Sequence, residues 1–341
     1  MDEEVKKILN WYQKNKREFP WRKDKNPYHV WISEIMLQQT RIEAVIDYYE
    51  RFLKEIPNIQ TLSLIEEDRL LKLWEGLGYY NRARNLKKAA QKIMEKYQGN
   101  FPEEYEDILS LPGIGEYTAG AISSICFQKK EVCIDGNVMR VYARLNNSDI
   151  DVQDPKERKK VALEIKKILP KETGNFNEGL MELGETICIP NGTPKCSSCP
   201  LKSTCKAHKE KKETILPRKI IKKKQKEEKY TVFLIQWNNQ YALQKRENNL
   251  LKNMWEFPNQ KGNTTKKEIK NKNKEIISIK NGPTNTHIFT HKKWIMKSYQ
   301  IKVEKKQSNY TWSTLENIEM KYAIPTAFKP FLEYLKKEGK K

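Results

Sequence analysis

Four cysteines, Cys188, Cys196, Cys199 and Cys205, form a C-x7-C-x2-C-x5-C pattern. Thiols so closely spaced, in a chain that begins MDEEVKKILN without a basic-then-apolar leader, point to metal rather than disulfides. Four thiolates can hold either zinc or an iron–sulfur cluster. Cys126 and Cys133 stand in the apolar stretches ISSICF and EVCID and read as core residues. Two carboxylates offer a second kind of chemistry. Glu34 lies in NPYHVWISEIMLQQT, where a helix is apolar on nearly every side from Val30 to Leu37. Burial there raises a carboxyl pKa, which suits a general acid, and an ion pair with an arginine is the structural alternative. Asp135, in VCIDGNVMRVYARL, precedes a helix start at Gly136-Asn137, and capping that helix is by itself enough to explain it. Two carboxyls in unlike surroundings are also the means by which glycosidic bonds are broken. A third stretch, LPGIGEYTAG (111–120), places Pro112, Gly113 and Gly115 just ahead of helix-forming residues. Such a turn brings backbone N–H groups close to an anion, or simply makes a corner between two helices.

The elements that must position these residues follow from hydrophobic spacing. VKKILNWY, IEAVIDYYERFL, LKKAAQKIMEKY and VALEIKKIL repeat apolar residues every three or four positions, so residues 1 to about 210 are expected to be mainly helical. RKIIKKKQKEEK (218–229) reads as an exposed basic linker. Strands follow: YTVFLIQW and QYALQKR flank Asn238-Asn239 as a hairpin, and WIMKSYQIKV (294–303) is another strand. TTKKEIKNKNKEIISIKN (264–281) is expected to be loop-rich, and FKPFLEYLKK to close the chain as a helix. The expected layout is a helical domain over 1–217, with a hairpin at 105–126 and a metal loop at 188–205. The linker 218–229 and an α+β domain over 230–341 complete it. The 341 residues carry 65 basic and 44 acidic side chains, a net charge of +21, which favours a polyanionic partner, nucleic acid ahead of a membrane surface. No apolar run approaches the roughly 18 residues of a membrane span, and a soluble cytoplasmic protein is expected.

LPGIGEYTAG resembles the helix-hairpin-helix of DNA-repair glycosylases. IDGNVMRV resembles that superfamily's catalytic aspartate segment, and the cysteine knot its iron–sulfur loop. WISEIMLQQT, GLGYYNRARNL and FPWR are similar to the adenine-DNA glycosylase branch rather than to endonuclease III. The resemblance runs from about residue 8 to 206 and resumes after the linker. It implies a multidomain fold: an all-α helix-hairpin-helix domain with a [4Fe–4S] cluster on Cys188, Cys196, Cys199 and Cys205, followed by an α+β Nudix-like domain. The implied activity is base excision repair by removal of adenine opposite 8-oxoguanine or guanine in double-stranded DNA. Glu34 then protonates the flipped adenine, ionised Asp135 stabilises the sugar cation, and Tyr117 and Asn137 hold the site. Gly113 and Gly115 deliver N–H groups to a phosphate, while Arg22, Gln39, Thr40 and Tyr79 frame the pocket or wedge beside the lesion. Tyr117 stands where strand-cutting relatives carry a lysine, so a monofunctional enzyme is implied.

The resemblance has departures. The first cysteine gap is one residue longer than the family's usual gap, and the extra residue falls in a Pro-Asn-Gly-Thr turn. NNLLKNMWEFPN and HIFTHKKW resemble the Nudix-like module that recognises 8-oxoguanine. No glutamate-rich metal box follows WEFP, so a binding domain without pyrophosphatase activity is implied. Phe289, Thr290 and His291 match the loop that contacts the lesion, with threonine where serine is more frequent. A monomer working on DNA at the nucleoid, without a membrane, is expected. Two rivals stand beside this reading: a bifunctional endonuclease III-like glycosylase/lyase for oxidised pyrimidines, and a non-catalytic DNA-binding protein, which needs neither Glu34 nor Asp135.

Overall fold

Three- and four-residue apolar spacing over the first two-thirds of the chain folds as helices, as the periodicity demands. They are α1 (Asp2–Asn15), α2 (Pro27–Leu37), α3 (Ile42–Glu55), α4 (Ile59–Leu64), α5 (Glu67–Leu73), α6 (Asn81–Tyr97) and α7 (Tyr105–Leu109). α8 (Glu116–Phe127), α9 (Gly136–Asn146), α10 (Pro155–Lys166), α11 (Thr173–Thr186) and the one-turn α12 (Lys206–Lys209) follow. The computed structural model describes residues 2–218, 225–247, 250–272 and 275–339. It divides into two units: Met1–Leu64 with Asn85–Ile221, and Ile65–Arg84 with Lys222–Lys341. Among the described residues no helix is long and apolar enough to cross a membrane.

In the first unit α2 is buried on almost every side, with Trp31, Ile32 and Met36 fully enclosed. Each such side chain contributes roughly 1.5–3 kcal/mol. The Asn26 side chain caps the helix by accepting from the Tyr28 N–H at 2.9 Å, and Pro27 supplies its first turn. The helix stops where Gln39 turns to φ +59°. α11 and α9 share a core with α1: Val5, Ile8, Val138, Met139, Phe176, Leu180 and Leu183 are buried together. α11 comes close to the start of α9 at Gly184, where a Cβ would stand 2.6 Å from that of Asn137. A larger residue at 184 must push the Asp135–Asn137 segment aside.

The second unit is built on a mixed seven-stranded sheet. Its strands are β1 (Lys226–Trp237), β2 (Gln240–Lys245), β3 (Trp255–Glu256), β4 (Asn259–Lys261), β5 (Ile276–Ile288), β6 (Lys292–Val303) and β7 (Thr311–Ser313). The order is β3-β2-β1-β6-β5, with β4 also paired to β1 and β7 to β2. β1 and β6 run parallel from Lys226↔Lys292 to Gln236↔Lys302, and the other pairs are antiparallel. The expected hairpin across Asn238-Asn239 is present, with Asn238 at φ +50°. One sheet face packs Val232, Leu234, Trp294 and Met296 against α14 (Leu315–Lys321) and α15 (Lys329–Glu338). The other buries Ile235, Ile301 and Val303 with Ile269 of α13 (Lys266–Lys272).

Three expectations change. The 218–229 stretch is not linker throughout, because β1 begins at Lys226, while 219–224 lie outside the described residues. Glu228 is buried there. Burial pushes its carboxyl up, but Lys292, Trp294 and Lys261 hydrogen-bond to it and hold it down at about 2. The 264–281 stretch is not loop-rich but forms α13 and the start of β5. Residues 230–341 also do not make up the whole second unit, which takes in Ile65–Arg84. Within it Glu67 Oε1 accepts from Arg84 Nε at 2.8 Å and from Asn253 Nδ2 at 2.9 Å, and Lys245 pairs with Asp68 at 2.7 Å.

Candidate active site

Glu34, Tyr117, Asp135 and Asn137 line one cleft of about 1000 Å3 in the first unit, together with Arg22, Gln39 and Thr40. Glu34 comes from the buried face of α2 and is 8% exposed. Desolvation pushes its carboxyl up to about 7, against a lowering hydrogen bond from Tyr117 and the Arg22 charge, while Glu178 and Asp135 raise it further. The Tyr117 hydroxyl also stands 3.2 Å from Met181 Sδ, and burial holds the phenol well above its ordinary pKa. Asp135 does cap α9: Oδ1 accepts from the Val138 N–H at 2.8 Å and Oδ2 from Asn137 Nδ2 at 2.8 Å. Burial pushes this carboxyl up too, opposed by both hydrogen bonds and by Arg140. The two groups therefore differ in kind. One is a desolvated carboxyl fit to carry a proton, and the other is an acceptor braced by donors.

Arg140 is a site residue that spacing did not reveal. Its guanidinium donates to Asn137 Oδ1 at 2.7 Å, Gly184 O at 2.9 Å and Cys188 O at 2.7 Å. The first of these bonds turns the Asn137 NH2 toward Asp135. Glu178, Glu182 and Arg17 were also unforeseen, since they meet the cleft only through the packing of α11. Arg22 lines the cleft with its charge taken up by Glu178 at 3.2 Å and Glu182 at 3.0 Å, and it stacks over Phe19 at 5.0 Å. Arg17 pairs with Glu182 and Glu185. Of the two cysteines outside the 188–205 pattern, Cys133 is buried as expected, whereas Cys126 is half-buried, its thiol pushed up by burial to about 12.

The glycine turn separates its two glycines by role. Gly113 sits at φ +80°, and a Cβ there would fall 2.6 Å from Asn85 Cβ. Gly115 meets neither constraint: its φ is −105° and the space beside it is open. It is the N-cap of α8 and offers no side-chain acceptor, so the first N–H groups of a 12-residue helix face an unobstructed backbone.

Tyr79 and the 289–291 loop belong to the second unit. The Tyr79 hydroxyl lies 3.0 Å from Thr290 Oγ1, and Tyr79 itself adopts φ +47°. Phe289 packs edge-on to Trp294 with ring centroids 4.7 Å apart, and its N–H donates to Lys292 O at 2.7 Å. Thr290 and His291 are left exposed at the tip.

The four cysteines line one small cavity. Cys188 is among them, so the longer gap does not remove it; Pro190–Thr193 are exposed, with Gly192 at φ +77°. The donor set fits a thiolate-ligated cluster. Arg144 Nη1 donates to Cys188 Sγ at 3.3 Å, and backbone N–H groups of Leu201, His208 and Ala207 serve Cys199 and Cys205.

Residues 32–171 match the HhH-GPD superfamily of base excision DNA repair proteins, and residues 231–334 match the NUDIX domain. The adenine DNA glycosylase of Buchnera aphidicola subsp. Baizongia pistaciae is 37% identical over 354 residues, covering 97% of this chain and 96% of that protein. The chain belongs to the adenine DNA glycosylase family. The enzyme is likewise similar to the adenine DNA glycosylase of Buchnera aphidicola subsp. Acyrthosiphon pisum, 42% identical over 276 residues, or 80% of this chain and 76% of the other. Among solved structures, a thermostable thymine-DNA glycosylase matches 61% of this chain and 97% of its own at 28% identity and a TM-score of 0.57. A trapped endonuclease III–DNA complex shares the fold, with a TM-score of 0.52 at 24% identity over 62% and 98% of the two chains. The glycosylase thus joins a helix-hairpin-helix domain to a Nudix domain, and it is a DNA N-glycosylase of base excision repair; the endonuclease III-like alternative is not favoured.

Proposed function

We propose that this enzyme is a monofunctional adenine DNA glycosylase acting on adenine opposite 8-oxoguanine or guanine in double-stranded DNA. One observation carries the reading: a buried carboxyl with its pKa near 7 shares a cleft with a hydrogen-bonded carboxylate, and the phenol of Tyr117 stands beside both. Glu34 donates its proton to the ring of the flipped adenine, so the electron pair of the breaking N-glycosidic bond leaves with a neutral base. Positive charge grows on the sugar, and Asp135, held by Asn137 and the Val138 N–H, stabilises it until water adds. Arg22, Gln39 and Thr40 frame the base. Gly113 and Gly115 present N–H groups to a phosphate. Tyr117 has no amine to form a Schiff base, so the strand stays intact.

Tyr79 and the Phe289–Thr290–His291 loop read the opposite base, with the Thr290 hydroxyl set against the edge where 8-oxoguanine differs from guanine. The Nudix domain here binds and does not hydrolyse. Cys188, Cys196, Cys199 and Cys205 hold a [4Fe–4S] cluster, which anchors a basic loop (Lys195, Lys202, Lys206) and takes no part in hydrolysis. The enzyme works as a monomer at the nucleoid.

The test offers duplexes with adenine opposite 8-oxoguanine, adenine opposite guanine, and thymine glycol, with and without alkali. Adenine release from the first two, with strands that break only after alkali, is expected. Excision of thymine glycol, or strand cleavage in step with base release, overturns the proposal.

A further inference from the structure

One hydrogen bond in the cleft goes to neither carboxyl. The Tyr117 hydroxyl donates to Met181 Sδ at 3.2 Å, from α8 across to α11. Both residues line the cleft, and Met181 is half-buried there. The phenol has a single hydrogen to give, and its second acceptor is the Glu34 carboxyl. Burial keeps that hydrogen on the phenol, since Tyr117 titrates well above its ordinary range. The two acceptors are unequal. A thioether is weak, whereas an ionised carboxylate makes a hydrogen bond roughly twice as strong as a neutral one.

The two acceptors therefore take turns. While Glu34 is neutral, its carboxyl competes poorly and the phenol bonds to sulfur. Once Glu34 ionises, the carboxylate claims the hydrogen, and the sulfur gives up a bond that the new one outweighs. Met181 thus stabilises the neutral state and leaves the ionised state as it was. We propose that Met181 is a positioning residue for Glu34: by taking the Tyr117 hydrogen it favours the proton-bearing carboxyl. Its use in adenine release rests on the reading of Glu34 as the acid. The charges that face Glu34 from other elements do not involve Met181. They are Arg22 from the turn before α2, Asp135 at the start of α9 and Glu178 on α11, while α3 turns the apolar Ile42 to the cleft. An aliphatic side chain at 181 fills the same wall but accepts nothing.

The test compares full-length wild type, Met181→Leu, Tyr117→Phe and the double variant, each checked by thermal melting. Leucine keeps the volume and removes the acceptor. Two readouts are followed across neutral pH. One is single-turnover excision of adenine opposite 8-oxoguanine, and the other is the infrared carbonyl stretch of neutral Glu34, assigned by its loss in Glu34→Gln. In Met181→Leu both midpoints are expected about half a pH unit lower, the size of one weak neutral hydrogen bond. Excision is then roughly threefold slower at pH 8 and nearly unchanged at pH 6. In the Tyr117→Phe background, replacing Met181 should no longer move the infrared midpoint. An unmoved midpoint in Met181→Leu overturns the proposal. So does an equal shift with and without the Tyr117 hydroxyl, which assigns Met181 to packing. If excision shows no falling limb while the infrared midpoint still drops in Met181→Leu, the acid reading fails and the role of Met181 stands. A wild-type Glu34 that is ionised throughout overturns both.

Discussion

The cleft around Glu34 and the loop at 289–291 are made of different materials, which fits the different tasks proposed for them. In the cleft, side chains are fixed on α2, α8, α9 and α11, and the decisive carboxyl is almost wholly removed from water. At the loop, Thr290 and His291 are exposed on a tight hairpin, and Thr290 faces Tyr79 at 3.0 Å. A proton donor effective near neutral pH needs desolvation, which only packed helices supply here. Discrimination between two bases that differ at one edge needs hydrogen-bonding groups that stay available until the base arrives. Rate should therefore depend on the cleft, and mispair preference on the loop.

The largest expected effect is that of Glu34→Gln, a loss on the order of 10³-fold or more in single-turnover excision from both mispairs alike. Its stability should move the other way. The folded-state pKa of Glu34 lies above the unfolded value, so its favourable contribution is complete below about pH 4.5 and is lost as pH rises through 7. At pH 8 a buried ionised carboxyl costs on the order of 3 kcal/mol, and Glu34→Gln should melt above the wild type there. Equal melting at pH 8 argues against a desolvated Glu34. Asp135→Asn should come next, losing about 10²- to 10³-fold on both mispairs with little change in melting, because asparagine also caps a helix. Melting that falls in step with the rate assigns Asp135 to capping alone.

Thr290→Ala should leave excision opposite guanine nearly unchanged and cut the preference for 8-oxoguanine by roughly 5- to 150-fold, the worth of about 1–3 kcal/mol of lost hydrogen bonding. Equal loss on both mispairs breaks the division between cleft and loop. A truncation at Arg218 is a poorer probe than this substitution. It strips Glu67, Asp68, Tyr79 and Arg84 of Asn253, Lys245, Thr290 and the Lys252 carbonyl. The smallest effect is expected of Arg140→Gln, a few-fold to about tenfold loss of rate with the mispair ratio unchanged, since the residue orients Asn137 rather than touching the base. A changed ratio would tie the cleft to discrimination.

Much of the cleft was legible because its residues announce themselves locally. Glu34 is conspicuous in an apolar helix and Asp135 caps a helix three residues before Val138, while outside the cleft Gly113 marks a positive φ. What joins them was not legible. Arg140 reaches Cys188 across 48 positions and Arg22 reaches Glu182 across 160, and no periodicity encodes such pairs. The second unit was harder because its lysine- and asparagine-rich composition hides secondary structure. KEEK at 226–229 looks like a solvated run, yet pairing with β6 and the burial of Glu228 make it strand. In 264–281 Ile269 anchors α13 to the sheet, and Ile276 and Ile279 pack against the same core. The membership of Ile65–Arg84 in the second unit goes with an ion pair and hydrogen bonds to residues more than 160 positions away, which spacing in a sequence cannot express.

The central claim is that a neutral, buried Glu34 supplies the proton for adenine release, and the pH dependence of single-turnover excision from the adenine–8-oxoguanine duplex tests it most directly. The active form is the protonated one, so the rate should be highest below neutrality and fall tenfold per pH unit above an apparent pKa near 7. In Glu34→Gln the residual rate should lose that limb. A wild-type profile that stays flat from pH 6 to 9, or a falling limb that persists in Glu34→Gln, contradicts the account.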